Sequence, residues 1–262
     1  MFETAKSTKV FQDVVVQIED AILAGRVKTG DMLPSERDLK DMFRVSRGTL
    51  REALRVLEQK GLIEIKLGVG GGSLVKTIDG GQVSESLGLL IRSQKVSLNQ
   101  LAEFREGVEG TVAALAAIRR SPADVERLRE LLDRARGCVE AGAARRNDFL
   151  EIDKQIHTIL AEITRNPIYQ SVLGSIHYNI HRYYDNFLSM DERELQENYR
   201  DLCDIVRAIE KGDRESAGRL ARKHVQRFNR YMENRQREQR TGAPPDAQPP
   251  GARQGHKAQR DP

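Results

Sequence analysis

The sequence predicts a mostly α-helical protein, with an N-terminal winged helix-turn-helix domain joined to an all-helical bundle. Two short helical patterns joined by a tight turn lie between about residues 34 and 60. A glycine-rich, β-prone segment follows them and indicates a small wing. From residue 97 to about residue 238 the periodic segments repeat with the period of a helix, which predicts about six helices and no strand.

The composition limits the class of protein. The chain of 262 residues can form two domains of ordinary size, and 39% of it is hydrophobic and 31% charged. Its net charge of +4 is modest, so an argument for nucleic-acid binding must rest on where the arginines lie. Cys138 and Cys203 lack metal-type spacing and suit a reducing cytosol. With no signal-peptide pattern and no apolar run of about 18 residues, we expect a cytoplasmic protein with no membrane partner.

The helix-turn-helix is predicted from apolar spacing and from its caps. A first helix is indicated by Val10, Val14, Val15, Ile18, Ile22 and Leu23. Ser35, followed by Asp38, is typical of a helix start. Arg44 and Val45 then form the turn, and Ser46 caps the next helix. That helix has an apolar stripe formed by Leu50, Ala53, Leu54 and Leu57, and it ends at Gly61.

The wing is predicted where the periodicity changes after Gly61. Leu62, Ile63 and Ile65 are β-prone, and residues 68–72 contain four glycines before the next apolar pair. Glycines at the tip permit a tight turn and leave no side chain to block a phosphate backbone. A nucleotide-binding loop is the weaker interpretation, because the Gly-Lys-Ser/Thr ending is absent.

The helix that follows the turn carries a basic face. Arg47, Arg51 and Arg55 lie at i, i+4 and i+8, opposite the apolar stripe. The plain alternative is a solvated helix face. The preceding helix, the small Gly48 and the wing favour insertion of this helix into the major groove of double-stranded DNA. The predicted DNA-contacting residues are Arg37, Ser46, Arg47, Gly48, Thr49, Arg51, Lys66, Gly70 and Gly71.

Four segments are predicted along the chain. Residues 8–77 form the winged helix-turn-helix, and residues 78–96 form a connector with a short helix near 83–91. Residues 97–238 form the helical domain, whose helix starts are predicted at Ser97, Ser121 and Ser189. Residues 239–262 are rich in Pro, Gly, Ala, Gln and Arg, and we expect them to be a disordered tail.

One group of residues in the helical domain could ligate a metal. Asp153 and His157 lie one helical turn apart, and His224 on the last helix is a candidate third ligand. A surface pair and a core histidine are the plain alternatives. His177 and His181 form a second i, i+4 pair, one of which could complete the shell. Carboxylate and imidazole ligands favour zinc or a similar ion. The alternative is a metal-free site whose groups hydrogen-bond an organic ligand directly.

Residues 33–75 resemble the winged helix-turn-helix of the GntR family of bacterial transcription regulators. The resemblance rests on Leu-Pro-Ser-Glu-Arg-Asp-Leu, on Val-Ser-Arg-Gly-Thr-Leu-Arg-Glu-Ala-Leu-Arg-Val-Leu-Glu and on Gly-Leu-Ile. It implies a homodimer that binds a short palindromic operator. The wing sequence Gly-Val-Gly-Gly-Gly-Ser-Leu-Val departs slightly from the family pattern.

The helical half, from Leu101 onward, resembles the FCD effector domain of one GntR subgroup. This resemblance implies a small carboxylate effector, often beside a divalent metal held by an Asp, a His four residues later and two further histidines. Asp153, His157 and His224 match that pattern, but the expected fourth position holds Leu202. For the effector, the resemblance implies Arg105, although a pair with Glu109 is a rival.

Further candidates for contact with the effector are Arg182 with Tyr183 or Tyr184, and His177. The sequence thus predicts a ligand-responsive transcription regulator, most simply a repressor, and not an enzyme. A metal-free regulator that responds to acyl-CoA is one alternative. A metal-dependent hydrolase and a helical interaction protein are less favoured, because no nucleophile motif or cofactor loop is present.

Overall fold

The computed structural model describes residues 9–68, 71–78, 80–93, 96–184 and 190–241, although the side chains of 9, 92, 181–184 and 239–241 are not described. The described residues form ten α-helices, one 3-10 turn and one two-stranded sheet. In chain order these are α1 (Lys9–Leu23), α2 (Glu36–Phe43), α3 (Arg47–Gln59), β1 (Ile63–Lys66), β2 (Gly72–Val75), α4 (Gly81–Arg92), α5 (Leu98–Arg119), α6 (Pro122–Glu140), the 3-10 turn (Gly142–Arg145), α7 (Arg146–Ile163), α8 (Pro167–Tyr184), α9 (Glu192–Lys211) and α10 (Arg214–Thr241). The predicted fold class is confirmed. None of the described helices is long and apolar enough to cross a membrane.

The chain packs as two compact units. The first comprises Met1–Arg92 together with Gln170–Asn179, and the second comprises Ser93–Tyr169 and Ile180–Pro262. Sequence reasoning predicted that residues 97–238 form one helical domain, and this assignment stays a prediction. In the structure, Gln170–Asn179 of α8 pack with the first unit. One contact of α8 with this unit is a hydrogen bond at 3.2 Å, which the side chain of Asn179 on α8 donates to the backbone oxygen of Ser84 on α4.

The core of the helix-turn-helix is formed by the predicted apolar stripes. Leu50, Ala53, Leu54 and Leu57 of α3 are buried against Val14, Val15 and Ile18 of α1. Ser35 caps α2 by accepting a hydrogen bond from the backbone NH of Asp38. Arg44 ends α2 in the left-handed conformation, with φ 54° and ψ 43°. These contacts set α3 in a fixed position, with its opposite face exposed.

The wing is an antiparallel hairpin, as predicted. β1 pairs with β2 so that Ile63 lies opposite Val75 and Lys66 opposite Gly72. At the tip, the backbone NH of Gly71 donates to the oxygen of Gly68 at 2.9 Å. A Cβ added at Gly71 would lie 2.3 Å from the backbone oxygen of Lys66, so only glycine fits there. Gly70 lies outside the described residues.

The second unit is built from long capped helices. Ser97 and Ser121 each form a capping box, with Gln100 and Asp124 respectively, as predicted. The start predicted at Ser189 is wrong: Asp191 is the N-cap of α9 and forms its capping box with Glu194. The predicted tail lies outside the described residues from residue 242 onward.

Candidate DNA-binding surface and metal centre

The hydroxyl groups of Ser46 and Thr49 lie at the N-cap of α3. Ser46 Oγ accepts a hydrogen bond from the backbone NH of Thr49 at 3.1 Å, and the two side-chain oxygens lie 2.8 Å apart. Gly48 follows in the first turn, and a Cβ added there would meet nothing closer than Ser46 Oγ at 3.8 Å. Among the described residues, no neighbour therefore prevents a side chain at this position.

The arginines of α3 differ in their partners. Arg47, Arg51 and Arg55 are all exposed, as the spacing predicts. Arg51 Nε lies 2.9 Å from a carboxylate oxygen of Glu36 on α2. In the part of the chain that the structure describes, Arg47, Arg55 and Arg37 form no ion pair, so their charges remain available to an anion. Lys66 is also exposed, at the end of β1 beside the glycine tip.

Three predicted metal ligands meet inside the second unit. His157 Nε2 on α7 and His224 Nε2 on α10 lie 3.2 Å apart. Asp153 Oδ1 lies 3.9 Å from the first of these atoms and 3.7 Å from the second. A point equidistant from the three atoms is about 2.1 Å from each, which matches ordinary zinc–nitrogen and zinc–oxygen bond lengths. The residues present therefore fit a divalent metal.

The polar atoms around this centre also fit a metal. Asp153 Oδ1 is buried and accepts no hydrogen bond among the described residues, although it faces both imidazoles. Such an atom normally has a partner, and a shared cation would supply one. His157 and His224 are each 3% or less exposed, so both are held away from water.

A further carboxylate lies near Nδ1 of each histidine, the ring nitrogen that does not face Asp153. His157 Nδ1 lies 2.9 Å from Glu109 Oε2 on α5, and His224 Nδ1 lies 3.9 Å from Asp201 Oδ2 on α9. Burial lowers the pKa of His157, but the charge and the hydrogen bond of Glu109, together with the charge of Asp153, hold that pKa above its usual value. Carboxylates placed behind ligating histidines orient the rings and strengthen them as ligands. Asp201 is also close to Arg227, whose Nε lies 3.4 Å away.

The predicted effector arginine is engaged by its own helix. Arg105 Nε donates a hydrogen bond to Glu109 Oε1 at 2.6 Å, and both side chains are buried. The guanidinium carbon lies 5.3 Å from the ring centre of Phe228 on α10. The i, i+4 pair that rivalled an effector contact is therefore present, and Glu109 lies between Arg105 and the candidate metal ligand His157.

The other predicted site residues are placed differently. Leu202 is fully buried and provides no ligand atom, as its chemistry requires. His177 is buried in the segment of α8 that belongs to the first unit. The side chains of His181, Arg182 and Tyr184 lie outside the described residues. Their predicted roles stay predictions.

Sequence reasoning missed three polar residues of this region: it treated Glu109 only as a rival partner and did not consider Asn198 or Asp201. Asn198 and Asp201 are buried on α9, and each has a side-chain oxygen without a hydrogen bond among the described residues. The signal was available, because both interrupt the apolar stripe that runs from Leu195 to Ile205. Asn and Asp are mostly exposed in folded proteins, so two of them at buried helix positions are informative.

Comparisons with known proteins agree with this architecture. Residues 11–71 match the family described as bacterial regulatory proteins, gntR family, and residues 100–227 match the FCD domain. The HTH-type transcriptional regulator LutR of Bacillus subtilis is 34% identical over 154 residues, which cover 58% of this chain and 67% of that protein. The HTH-type transcriptional repressor NanR of Cronobacter sakazakii is 29% identical over 227 residues, 83% of each chain. A solved GntR structure from Streptococcus agalactiae aligns with a TM-score of 0.62 at 22% identity and covers 84% of this chain and 99% of that one.

The winged helix-turn-helix and the attached helical domain define a DNA-binding transcription regulator, not an enzyme. The chain belongs to the gntR family of bacterial regulatory proteins, and its C-terminal half carries the FCD domain of that family.

Proposed function

We propose that this protein is a ligand-controlled repressor that binds a palindromic operator as a homodimer. In this proposal the helical domain binds a small carboxylate metabolite beside a divalent metal and thereby changes operator affinity. The observation that carries it is the convergence of Asp153 Oδ1, His157 Nε2 and His224 Nε2 around one point. Binding to chromosomal DNA would place the protein in the cytoplasm.

The DNA-binding end is assigned to the exposed face of α3 and to the wing. Arg47 is the best candidate for base contact, because it lies in the first helical turn and has no ion-pair partner among the described residues. A guanidinium can bind the O6 and N7 atoms of guanine in a bidentate manner. Arg37, Lys66 and Gly71 would contact phosphates and set the register. Arg51 would have to leave Glu36, or share it, before it could reach DNA.

The metal is proposed to be zinc, held by Asp153, His157 and His224. Two imidazoles and one carboxylate form a ligand set that zinc accepts, and such a set leaves a position for a further ligand. When bound, the metal supplies a Lewis-acid anchor for a carboxylate oxygen of the effector. Glu109 would keep the His157 ring oriented toward the ion, while Asp201 places a negative charge 3.9 Å from Nδ1 of His224.

The effector is proposed to be a small organic acid whose second contact is Arg105. Only Nε of this guanidinium is committed to Glu109 by the described contacts, so its outer nitrogens can still donate to a carboxylate. Such a charge-assisted contact gains strength where water is excluded. Arg182, Tyr184 and His177 remain proposed contributors.

Control of DNA binding is proposed to be a population shift between two arrangements of the dimer. An effector that binds one arrangement better would favour it. Because two half-sites require a fixed spacing between two recognition helices, a small reorientation would lower operator affinity. Support for a repressor comes from the relative NanR, which is named as one.

A metal-free regulator that responds to acyl-CoA is the second candidate. Its support is the 3.2 Å contact between His157 and His224, which the two imidazoles can form as a direct hydrogen bond. In that case the same polar groups would bind the organic ligand without an ion.

Metal analysis of the purified protein separates the two candidates. We expect about one zinc per chain in the wild type and a loss of it in Asp153→Ala and His224→Ala. Glu151→Ala, which removes an exposed carboxylate from the same helix, is the matched control and should keep the metal. Stoichiometric metal that persists in both ligand variants would contradict the assignment.

The effector class is tested with a thermal-shift screen of organic acids and acyl-CoAs, with and without Zn²⁺. A stabilising acid that requires Zn²⁺, and that also releases a selected operator duplex, supports the proposal. Stabilisation by acyl-CoA alone, independent of Zn²⁺, supports the second candidate.

A further inference from the structure

Arg44 has a backbone conformation that its residue type disfavours. It lies in the left-handed region, with φ 54° and ψ 43°, where Cβ is crowded and glycine is the usual residue. Among the described residues, only Arg44 and Arg165 have a positive φ without being glycine. The conformation itself closes α2, because the backbone NH groups of Arg44 and Val45 both donate to the oxygen of Lys40. Glycine would close the helix in the same way at a lower cost, so the use of arginine here calls for a reason that involves its side chain.

Arg165 is the matched case in the second unit. It lies at the turn between α7 and α8, where its backbone NH donates a hydrogen bond to the oxygen of Glu162 at 2.9 Å, and its side chain is exposed. It therefore shares the backbone conformation and the charge of Arg44 but lies outside the helix-turn-helix.

The side chain of Arg44 has no partner among the described residues. Its side chain is exposed and forms no ion pair or hydrogen bond there. The neighbouring acids are already engaged: Asp41 pairs with Lys40, Glu36 pairs with Arg51, and Asp38 bonds Ser35. A cation at the end of α2 does favour the helix dipole, but Lys40 already places one in that last turn.

The position of Arg44 in the helix-turn-helix indicates a role for its positive charge. It lies at the corner of the helix-turn-helix, two residues before Ser46, which caps α3. In this motif the first helix crosses the DNA backbone and the second enters the groove. We propose that Arg44 is a phosphate-contacting residue that holds the corner of the motif on the DNA backbone at a cost in folding stability. The inference rests on the proposed insertion of α3 into the major groove.

The test compares Arg44→Gly with Arg165→Gly in the full-length protein. Both variants remove one charge and relieve one left-handed residue, so both should raise the melting temperature by about 2–4 °C. Binding is measured by fluorescence anisotropy on two duplexes, one of random sequence and one enriched by selection with the wild type, over a series of KCl concentrations. Arg44→Lys, which keeps the charge, and Arg47→Ala are measured in parallel.

We expect Arg44→Gly to weaken binding to both duplexes by a similar factor of about 3–10 and to reduce the salt slope by about one. Arg165→Gly and Arg44→Lys should bind as the wild type does. The inference would be overturned if Arg44→Gly kept the wild-type DNA affinity and salt slope. It would also be overturned if Arg44→Lys lost as much DNA affinity as Arg44→Gly, or if Arg44→Gly lost affinity for the selected duplex alone. A different outcome tests the proposed insertion of α3. If Arg44→Gly weakens binding as expected but Arg47→Ala binds as the wild type does, the proposed role of α3 is contradicted and not that of Arg44.

Discussion

His157 Nδ1 lies 2.9 Å from Glu109 Oε2, and both side chains are buried. This contact leaves Nε2 of the same ring facing Asp153 and His224. The other oxygen of Glu109 accepts a hydrogen bond from Arg105. One carboxylate therefore connects the predicted effector arginine to the predicted metal ligands.

Replacement of Glu109 by Gln should weaken zinc binding. The amide keeps the shape of the side chain but removes the charge that strengthens His157 as a ligand, and loss of such a partner typically costs 10–100-fold in metal affinity. Isothermal titration with Zn²⁺ measures the effect. Glu103→Gln changes an exposed carboxylate on the same helix and should bind zinc as the wild type does. Equal affinity in both variants would show that Glu109 does not support the site.

Replacement of Arg47 by Ala should remove sequence preference and leave the fold intact. The side chain is exposed, so the melting temperature should change little, while the loss of a bidentate base contact costs about 1–3 kcal/mol of discrimination. Competition between a selected operator duplex and a random duplex measures it. Arg134→Ala, an exposed arginine of the second unit, is the charge-matched control. Wild-type preference in Arg47→Ala would contradict the assigned role.

Replacement of Gly48 by Ala should have opposite effects on stability and on DNA binding. The position is helical and open, so alanine should stabilise the fold by about 0.5–1 kcal/mol. The added methyl group would meet the groove floor and weaken operator binding. Urea unfolding and anisotropy measure the two effects. Stabilisation with unchanged affinity would show that DNA does not approach Gly48 closely.

Replacement of Ser121 by Ala should destabilise the protein by about 1 kcal/mol, because α6 loses its N-cap. Hydrogen bonds from Ser121, first from its backbone NH and then from its hydroxyl, lower the pKa of Asp124 below the usual 3.8. A depressed carboxyl pKa stabilises the folded state above pH 3.8, and this stabilisation is lost as the pH falls through the folded value. The difference between wild type and Ser121→Ala in urea unfolding should therefore be larger at pH 7 than at pH 3. A difference independent of pH would contradict the contribution of Asp124.

Most of the fold follows from local patterns. The stripes of α1 and α3, the caps Ser35, Ser46, Ser97 and Ser121, and the glycine-rich wing were all predictable, because each depends on residues a few positions apart. The start of α9 was missed by two residues, since Asp191 and Ser189 are both acceptable caps and sequence alone does not choose between them.

The candidate metal centre was predicted in part. Asp153 and His157 share a helix, so their common face follows from a spacing of four residues. Glu109 and Asp201 could not be assigned in the same way, because they lie on other helices and reach the histidines only through packing.

The sequence by itself determined the helix-turn-helix, its basic face and the helical character of the second half, because these features depend on short-range periodicity and capping. Only the tertiary structure decided that α8 packs partly with the first unit, that Arg51 pairs with Glu36, and that His224 comes within 3.2 Å of His157. Those relationships join residues from 15 to 95 positions apart. Residues so far apart in the sequence come into contact only when the helices pack, so no local sequence pattern predicts these contacts.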